Sequence, residues 1–105
     1  MKDVEFLGAS LDVVRAFPQA ARREVGFQIE RLQNGLEPDS WKPMKTIGKG
    51  VRELRVRQSN GAYRVIYLAT RADVIYVLHA FEKKTQATQQ RELELAIARF
   101  RSLPT

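Results

Sequence analysis

Three strand-like segments lie in the second half of this sequence, and each has basic side chains on it or next to it. Val51–Arg57 alternates with a period of two, Tyr63–Ala69 follows a Ser-Asn-Gly turn signal, and Val74–Phe81 is a nearly continuous apolar run. We predict that the three segments form an antiparallel sheet. Because side chains alternate between the two faces of a strand, one face carries Glu53 and a basic cluster with a single aromatic ring. The cluster consists of Arg55, Arg57, Arg64, His79, Phe81 and Lys83. Like charges that face each other across strands are destabilising, so we expect this face to bind an anion.

These residue types can hold a phosphate and transfer a proton. Arg55 and Arg64 are suited to planar, bidentate phosphate binding. His79 is the only histidine and the only side chain with an unperturbed pKa near neutrality, so it is a candidate base or acid. Lys83 or Lys84 can supply an acid, because neighbouring cations favour loss of a lysine proton.

Other kinds of site find no support in the sequence. The absence of cysteine excludes disulfides, thiolate metal sites and thiol nucleophiles. No Asp, Glu and His residues have metal-ligand spacing, and neither a Gly-rich phosphate loop nor a Ser/His/Asp arrangement is present. We therefore expect neither a metal nor a cofactor.

The length and charge indicate one small domain with a basic half. The chain has 105 residues, of which 44% are hydrophobic, so we expect a single domain over residues 1–105. Residues 1–40 contain five basic and seven acidic residues, a net charge of −2, whereas residues 41–105 contain thirteen and five, a net charge of +8. Such asymmetry favours a polyanionic partner. No apolar run approaches the ~20 residues of a membrane span, and the N-terminal region is charged, so we predict a cytoplasmic protein without membrane contact.

The N-terminal half should cover one face of the sheet with two helices. Val4–Leu7 is a strand candidate, and Ser10 is a predicted N-cap for a short helix that ends near Phe17. A second helix follows Pro18 and ends at Asn34-Gly35. Its apolar stripe consists of Ala21, Val25, Ile29 and Leu32. Residues 36–50 are predicted to be an irregular basic loop that contains Trp41, Lys42, Lys45 and Lys49.

A helix with Thr88 as its cap should complete the fold. Leu93, Ala96, Ile97 and Phe100 recur at helical spacing. The predicted fold is α+β, in the order β-α-α-β-β-β-α, with an antiparallel sheet, an N-terminal helical hairpin and a C-terminal helix. Strict alternation assigns eight residues to the hairpin side: Leu54, Val56, Tyr63, Val65, Tyr67, Val74, Tyr76 and Leu78. It assigns Ile75 and Val77 to the opposite side, with His79 and Phe81.

Three motifs resemble the RelE/HigB toxins of bacterial type II toxin–antitoxin systems. They are Gly50-Val-Arg-Glu-Leu-Arg55, Gly61-Ala-Tyr-Arg-Val-Ile-Tyr67 and Val77-Leu-His-Ala-Phe-Glu-Lys-Lys-Thr85. The series is most similar to the phage-derived HigB-like branch, and the order of elements agrees over nearly the whole chain.

The resemblance implies a toxin that is a ribosome-dependent mRNA endoribonuclease, acts without metal and inhibits translation. Its partners would be the ribosome, mRNA and a cognate antitoxin, which in the HigB branch is usually a helix-turn-helix DNA-binding protein. By motif, Arg55 and Arg64 match basic site positions and Lys84 lies near the one at the end of the last strand. Glu53 stands where the RelE branch often has lysine, and residues 85–92 contain no counterpart of the RelE tyrosine.

RNA cleavage by the 2′-hydroxyl needs a base, an acid and positive charge on the phosphate. The candidate catalytic residues are Arg55, Arg64, His79, Lys83 and Lys84. Candidate RNA contacts are Arg57, Phe81 as a stacking surface, and Lys45 and Lys49 as diffuse attractors. His79 is equally compatible with a hydrogen-bonded place on a covered strand, and for Phe81 the core or its rim is favoured over base stacking.

Two other functions remain open for this sequence. One is a ParE-like gyrase inhibitor, which would not need the clustered Arg64, His79 and Lys84. The other is a catalytically inactive module that binds nucleic acid or an antitoxin, which Glu53 and the absent tyrosine keep possible.

Overall fold

A five-stranded sheet carries three helices in the computed structural model, which describes residues 1–85 and 87–104. The strands lie in the order β1-β5-β4-β3-β2. The elements are β1 (Asp3–Phe6), α1 (Ser10–Arg15), α2 (Gln19–Gln33), β2 (Trp41–Pro43), β3 (Val51–Gln58), β4 (Gly61–Leu68), β5 (Val74–Lys83) and α3 (Gln90–Arg101). The prediction of a mixed α+β fold is confirmed.

The centre of the sheet is the predicted meander. β3 pairs antiparallel with β4, and β4 pairs antiparallel with β5. Only Ser59 and Asn60 separate β3 from β4, as the turn signal predicts. The pairing places Arg55 directly opposite Arg64.

The two outer strands differ from the prediction. β1 pairs parallel with β5, from Asp3 opposite Val74 to Phe6 opposite Val77, so the sheet is mixed rather than antiparallel. β2 lies within the segment that we predicted to be irregular, and it pairs antiparallel with β3. It has three residues and ends in Pro43, so it shows little periodicity; the proline is tolerated because β2 is an edge strand.

The helical hairpin packs on one face of the sheet, as predicted. Ala21, Val25, Ile29 and Leu32 are all buried in a core cluster with the central strands. α2 ends at Asn34, and Gly35 has a φ of 78°, a left-handed conformation that favours glycine at a helix terminus. The predicted stripe therefore forms the hairpin side of the core.

A β-bulge changes which residues of β5 face each side. Ile66 pairs with His79 whereas the next residue, Tyr67, pairs with Val77, so Leu78 is an extra residue in β5. Ile75 and Val77 therefore lie on the hairpin side. Val74, Tyr76 and Leu78 lie on the α3 side, and strict alternation assigned all five wrongly. Beyond the bulge, His79 and Phe81 share the α3 side with Ile66, and Phe81 lies opposite Arg64 in the register.

α3 covers part of the second face, and both predicted cap residues have other roles. Ala96 is fully buried, with Leu93, Ile97 and Phe100 packed around it. Gln89, not Thr88, is the N-cap of α3. Ala9, not Ser10, is the N-cap of α1, and the buried hydroxyl of Ser10 donates a 2.7 Å hydrogen bond to the carbonyl of Leu7. Within the described ranges, no helix has the length and apolar character needed to cross a membrane.

Candidate functional site

Five basic side chains line one open cleft at the end of the central sheet. β3 contributes Arg55 and Arg57, β4 contributes Arg64, and Lys83 and Lys84 lie at the end of β5. The cleft has a volume of about 520 Å³. The structure thus brings five of the predicted site residues together.

The strand register explains why these side chains converge. Arg55 and Arg64 are cross-strand partners, so their side chains emerge on the same face. Lys83 is the partner of Ala62, whose small side chain leaves space beside it. A smaller adjoining hollow of about 210 Å³ brings Ser40, which precedes β2, next to Arg55 and Arg57.

The depth of the basic groups varies across the cleft. Arg64 is buried, with 5% of its surface exposed. Its Nη1 donates a 3.2 Å hydrogen bond to the carbonyl of Tyr63. Arg55 is at an intermediate depth, with 37% of its side chain exposed. Arg57 and Lys84 are exposed at the surface. Arg64 therefore forms the floor of the cleft, and Arg57 and Lys84 form its rim.

A fully buried carboxylate lies beneath the basic groups. Oε1 of Glu53 is 3.4 Å from Nε of Arg64 and 3.6 Å from Nε of Arg55. Its other oxygen, Oε2, accepts a 3.2 Å hydrogen bond from the hydroxyl of Thr88. Strand alternation in the sequence places Glu53 on the same face as Arg55 and Arg57, but the sequence suggested no role for it beyond a departure from the RelE pattern.

The environment of the cleft disfavours the charged forms of two bases. Burial lowers the pKa of Arg64; the charges of Arg55 and Arg57 act in the same direction, and that of Glu53 opposes them. Loss of solvation is the largest cause that lowers the pKa of Lys83, followed by the charge of Arg64. A lysine with a lowered pKa is better suited to proton transfer near neutral pH.

Lys42 is a cleft neighbour that sequence reasoning missed. It lies opposite Glu53 in the β2–β3 register, and its charge contributes to lowering the pKa of Lys83. We predicted that Lys42 belonged to a solvated loop, because a three-residue strand carries too little alternation to be recognised.

His79 lies beneath α3 and does not line the cleft. Its ring is 5% exposed, and Nε2 is 2.6 Å from Oε1 of Glu92. Nη1 of Arg99 donates to Nδ1 of the ring at 3.0 Å and also to the carbonyl of Leu78. Since Nδ1 accepts a hydrogen bond, the proton of the neutral ring is on Nε2 and points at Glu92. Burial lowers the pKa of His79 and outweighs the opposing effect of Glu92.

The remaining predicted residues also lie away from the floor of the cleft. Phe81 is 7% exposed and stacks on His79 with ring centroids 5.6 Å apart, so it belongs to the α3 side of the core. Lys45 and Lys49 line a separate depression of about 470 Å³ at β2, with Trp41. Phe81 nevertheless borders the basic cluster without lining the cleft, because it is the cross-strand partner of Arg64 and shares a small hollow of about 30 Å³ with Lys83 and Lys84. His79, Lys45 and Lys49 do not line the cleft.

Comparison with known proteins adds one finding. A family model described as "Phage derived protein Gp49-like (DUF891)" matches residues 12–101. The match covers most of the chain, from α1 to the end of α3, and includes every residue of the cleft. No curated protein gives a significant match.

Proposed function

The chain belongs to the Gp49-like family of phage-derived proteins, a RelE/HigB-type toxin-like family, and from this membership we propose that it is a ribosome-dependent mRNA endoribonuclease. The family is associated with the toxins of toxin–antitoxin systems. The observation that supports the nuclease is the cleft, where Arg55, Arg57, Arg64, Lys83 and Lys84 surround a space open to solvent. We take the arrangement of elements to be RelE-like and the chain to be one domain.

The proposed reaction is attack by a ribose 2′-hydroxyl on the adjacent phosphodiester. The O2′–P bond forms, the P–O5′ bond breaks, and the products are a 2′,3′-cyclic phosphate and a 5′-hydroxyl. The proton of the 2′-hydroxyl passes to a base, which is water in the open cleft or a neutral lysine, and a protonated lysine gives a proton to the departing O5′. The protein must therefore provide proton transfer and stabilise the charge on the non-bridging oxygens.

Each cleft residue has a role that follows from its position. Arg64 on the floor and Arg55 beside it bind the non-bridging oxygens. Lys83, with its lowered pKa, donates the proton to the leaving oxygen, and Lys84 is the neighbouring candidate for proton transfer. Arg57 contacts the RNA backbone at the rim. The mechanism requires no metal.

Residues outside the cleft have supporting roles. His79 and Phe81 hold the sheet against α3 and take no part in proton transfer or base stacking. Lys45 and Lys49, both exposed, attract the RNA backbone at a distance from the scissile phosphate.

The partners follow from the proposed class of protein. Family membership suggests an antitoxin partner. We propose that this antitoxin is a helix-turn-helix DNA-binding protein, that the substrate is mRNA on the ribosome, and that both encounters take place in the cytoplasm.

The decisive experiment is cleavage of ribosome-bound mRNA by the Arg64→Ala variant. We expect a loss of about 100-fold or more, the usual effect of removing one donor from a charge-stabilising site. Primer extension on mRNA locates the breaks, and a parallel reaction with a chelator tests the absence of a metal requirement. Arg55→Ala, at a more exposed position, serves as the second variant, and circular dichroism checks the fold of both.

The control is Arg23→Gln, which removes a charge from an exposed position on α2. Wild-type rates in both cleft variants would refute the site. Growth arrest with intact mRNA and SOS induction would instead indicate gyrase inhibition, and growth without arrest would indicate an inactive binding module.

A further inference from the structure

Glu53 is a charged side chain in a place that normally excludes one. It is 0% exposed, and it lies on the face of β3 that carries Arg55 and Arg57. Buried carboxylates are costly unless they are paired with cations or accept hydrogen bonds. The cost of this placement indicates that the carboxylate has a specific role.

The contacts of Glu53 join three separate segments. Oε1 lies within ion-pair distance of Nε of Arg55 on β3 and of Nε of Arg64 on β4. Oε2 accepts a hydrogen bond from Thr88, just before α3. One carboxylate thus links the two cross-strand arginines to the segment that follows Lys84 and Thr85 at the cleft wall.

The orientation of the arginines follows from these contacts. A guanidinium group has its Nε on one side and its two terminal nitrogens on the other. Arg55 approaches Glu53 through Nε, so its two terminal nitrogens are available to a phosphate in the cleft that Arg55 lines. Without the carboxylate, the two opposed cations would repel each other and turn apart.

We propose that Glu53 is a positioning residue that fixes the guanidinium groups of Arg55 and Arg64 for phosphate binding and, through Thr88, fixes the wall of the cleft. Its catalytic consequence rests on the proposed nuclease function, whereas its effect on the two arginines does not. Glu53 does not touch the RNA.

In the free protein, the distances from Oε1 of Glu53 to the Nε atoms of Arg55 and Arg64 are longer than those of strong hydrogen bonds. Oε1 of Glu53 and the Nε atoms of Arg55 and Arg64 are buried, and the described residues provide no well-formed hydrogen bond to any of the three. Catalytic hydrogen bonds are often long in free enzymes and shorten when the substrate binds. We therefore expect phosphate binding to draw the two arginines into closer contact with Glu53.

Glu53→Gln separates positioning from simple charge. The substitution keeps the shape and removes the negative charge, so the cleft becomes more positive. Positioning predicts that kcat falls roughly 10–100-fold, the scale of a small misplacement of a catalytic group, while KM stays the same or decreases. An unchanged kcat would overturn the proposal, and so would an increase in KM without a change in kcat.

A spectroscopic measurement tests the proposal independently of activity. The Nε–H groups of arginines give separate signals in ¹H–¹⁵N spectra, and those of Arg55 and Arg64 should move in Glu53→Gln and on titration of the wild type with inorganic phosphate. The matched control is Glu37→Gln, since Glu37 also pairs with an arginine, Arg52, at 2.9 Å but outside the cleft. Unmoved signals in Glu53→Gln would overturn the proposal even if the protein cleaves RNA. If the wild type cleaves nothing yet these signals move, the nuclease fails and the positioning role stands.

Thr88→Val keeps the test decisive if Glu53→Gln does not fold. It removes one hydroxyl and retains the carboxylate. We expect kcat to fall severalfold and the Arg64 Nε signal to shift. Wild-type values of both would contradict the proposed link to the cleft wall.

Discussion

Lys83 differs from the arginines of the cleft because it is a lysine whose pKa is lowered, so it releases its proton more readily than they do. An arginine keeps its charge at any physiological pH even when burial lowers its pKa, as for Arg64. Lys83 loses solvation at the end of β5 and faces the charge of Arg64, and both effects lower its pKa from 10.5. At the scale of single residues, we therefore propose that the arginines bind the charge of the phosphate and that Lys83 transfers a proton.

We predict that cleavage depends on the protonated form of Lys83. Because an acid must carry its proton, the rate should be highest at low pH and fall as pH rises through the lowered pKa of Lys83. Lys83→Arg keeps the positive charge but cannot release a proton in this range, so the rate should decrease about 10²–10⁴-fold and the alkaline decline should disappear. Single-turnover cleavage between about pH 6 and pH 9.5 measures both effects. If the cleavage rate of Lys83→Arg still falls at alkaline pH, another group is the acid.

At the scale of elements, the network of His79, Glu92 and Arg99 attaches α3 to the sheet. Glu92 and Arg99 lie on α3 and contact opposite ring nitrogens of a histidine on β5. The network is on the α3 side of the core, next to Phe81. It thereby connects α3 to β5, the strand whose end carries Lys83 at the cleft.

This network predicts a pH-dependent stability. Burial lowers the pKa of His79 from 6.5, so the unfolded chain binds the proton more readily than the folded protein. The stabilising contribution is complete above pH 6.5 and is lost as pH falls from there toward the lowered pKa. We expect the free energy of unfolding to decrease on acidification from about pH 7.5 to pH 5, and the decrease to be smaller in His79→Gln. Urea unfolding followed by Trp41 fluorescence measures it.

Equal pH slopes for the wild type and His79→Gln would contradict this interpretation. Loss of RNA cleavage at neutral pH in a folded His79→Gln protein would return the histidine to the list of catalytic candidates. The structure predicts that the folded variant retains activity.

The elements that the sequence predicted are those with long, regular patterns. The α2 stripe and the β3–β4 hairpin each have an unbroken period, and both lie where the pattern placed them. The bulge at Leu78 is invisible to alternation, because one extra residue reverses the faces on one side of it. The parallel pairing of β1 depends on contacts with a strand about 70 residues away, which no local pattern contains.

The candidate site also contains residues that the strand pattern places correctly and residues that it does not. Arg55, Arg57, Arg64 and Lys83 come together because they follow the period of adjacent strands near one turn, and Lys84 joins them as the residue after β5. His79 and Phe81 share that face, but α3 covers them, and alternation does not show how far a helix extends over a sheet. The sequence alone could not assign a role to Glu53. A single acid among basic residues has no evident function until its contacts with Arg55 and Arg64 are known.

At the scale of the whole molecule, the positive charge and the cleft lie in the same part of the chain. The net charge is +6, and residues 41–105, which contain all five cleft bases, carry the excess. Lys42, Lys45 and Lys49 add charge along and beyond β2. A field of this form attracts a polyanion toward the cleft before any specific contact forms.

The salt dependence of RNA binding tests this distribution of charge. Binding of single-stranded nucleic acid weakens with a logarithmic salt slope of about −0.7 for each phosphate that the protein neutralises, so contacts from all five cleft bases predict a slope of about −3.5. Fluorescence anisotropy with a short, non-cleavable 2′-O-methyl RNA at several salt concentrations measures the slope. Arg57→Gln, at the exposed rim, should reduce its magnitude by about 0.7, whereas Arg23→Gln on the exposed face of α2 should leave it unchanged. A slope near zero, or equal effects of the two variants, would show that the cleft does not bind the RNA backbone.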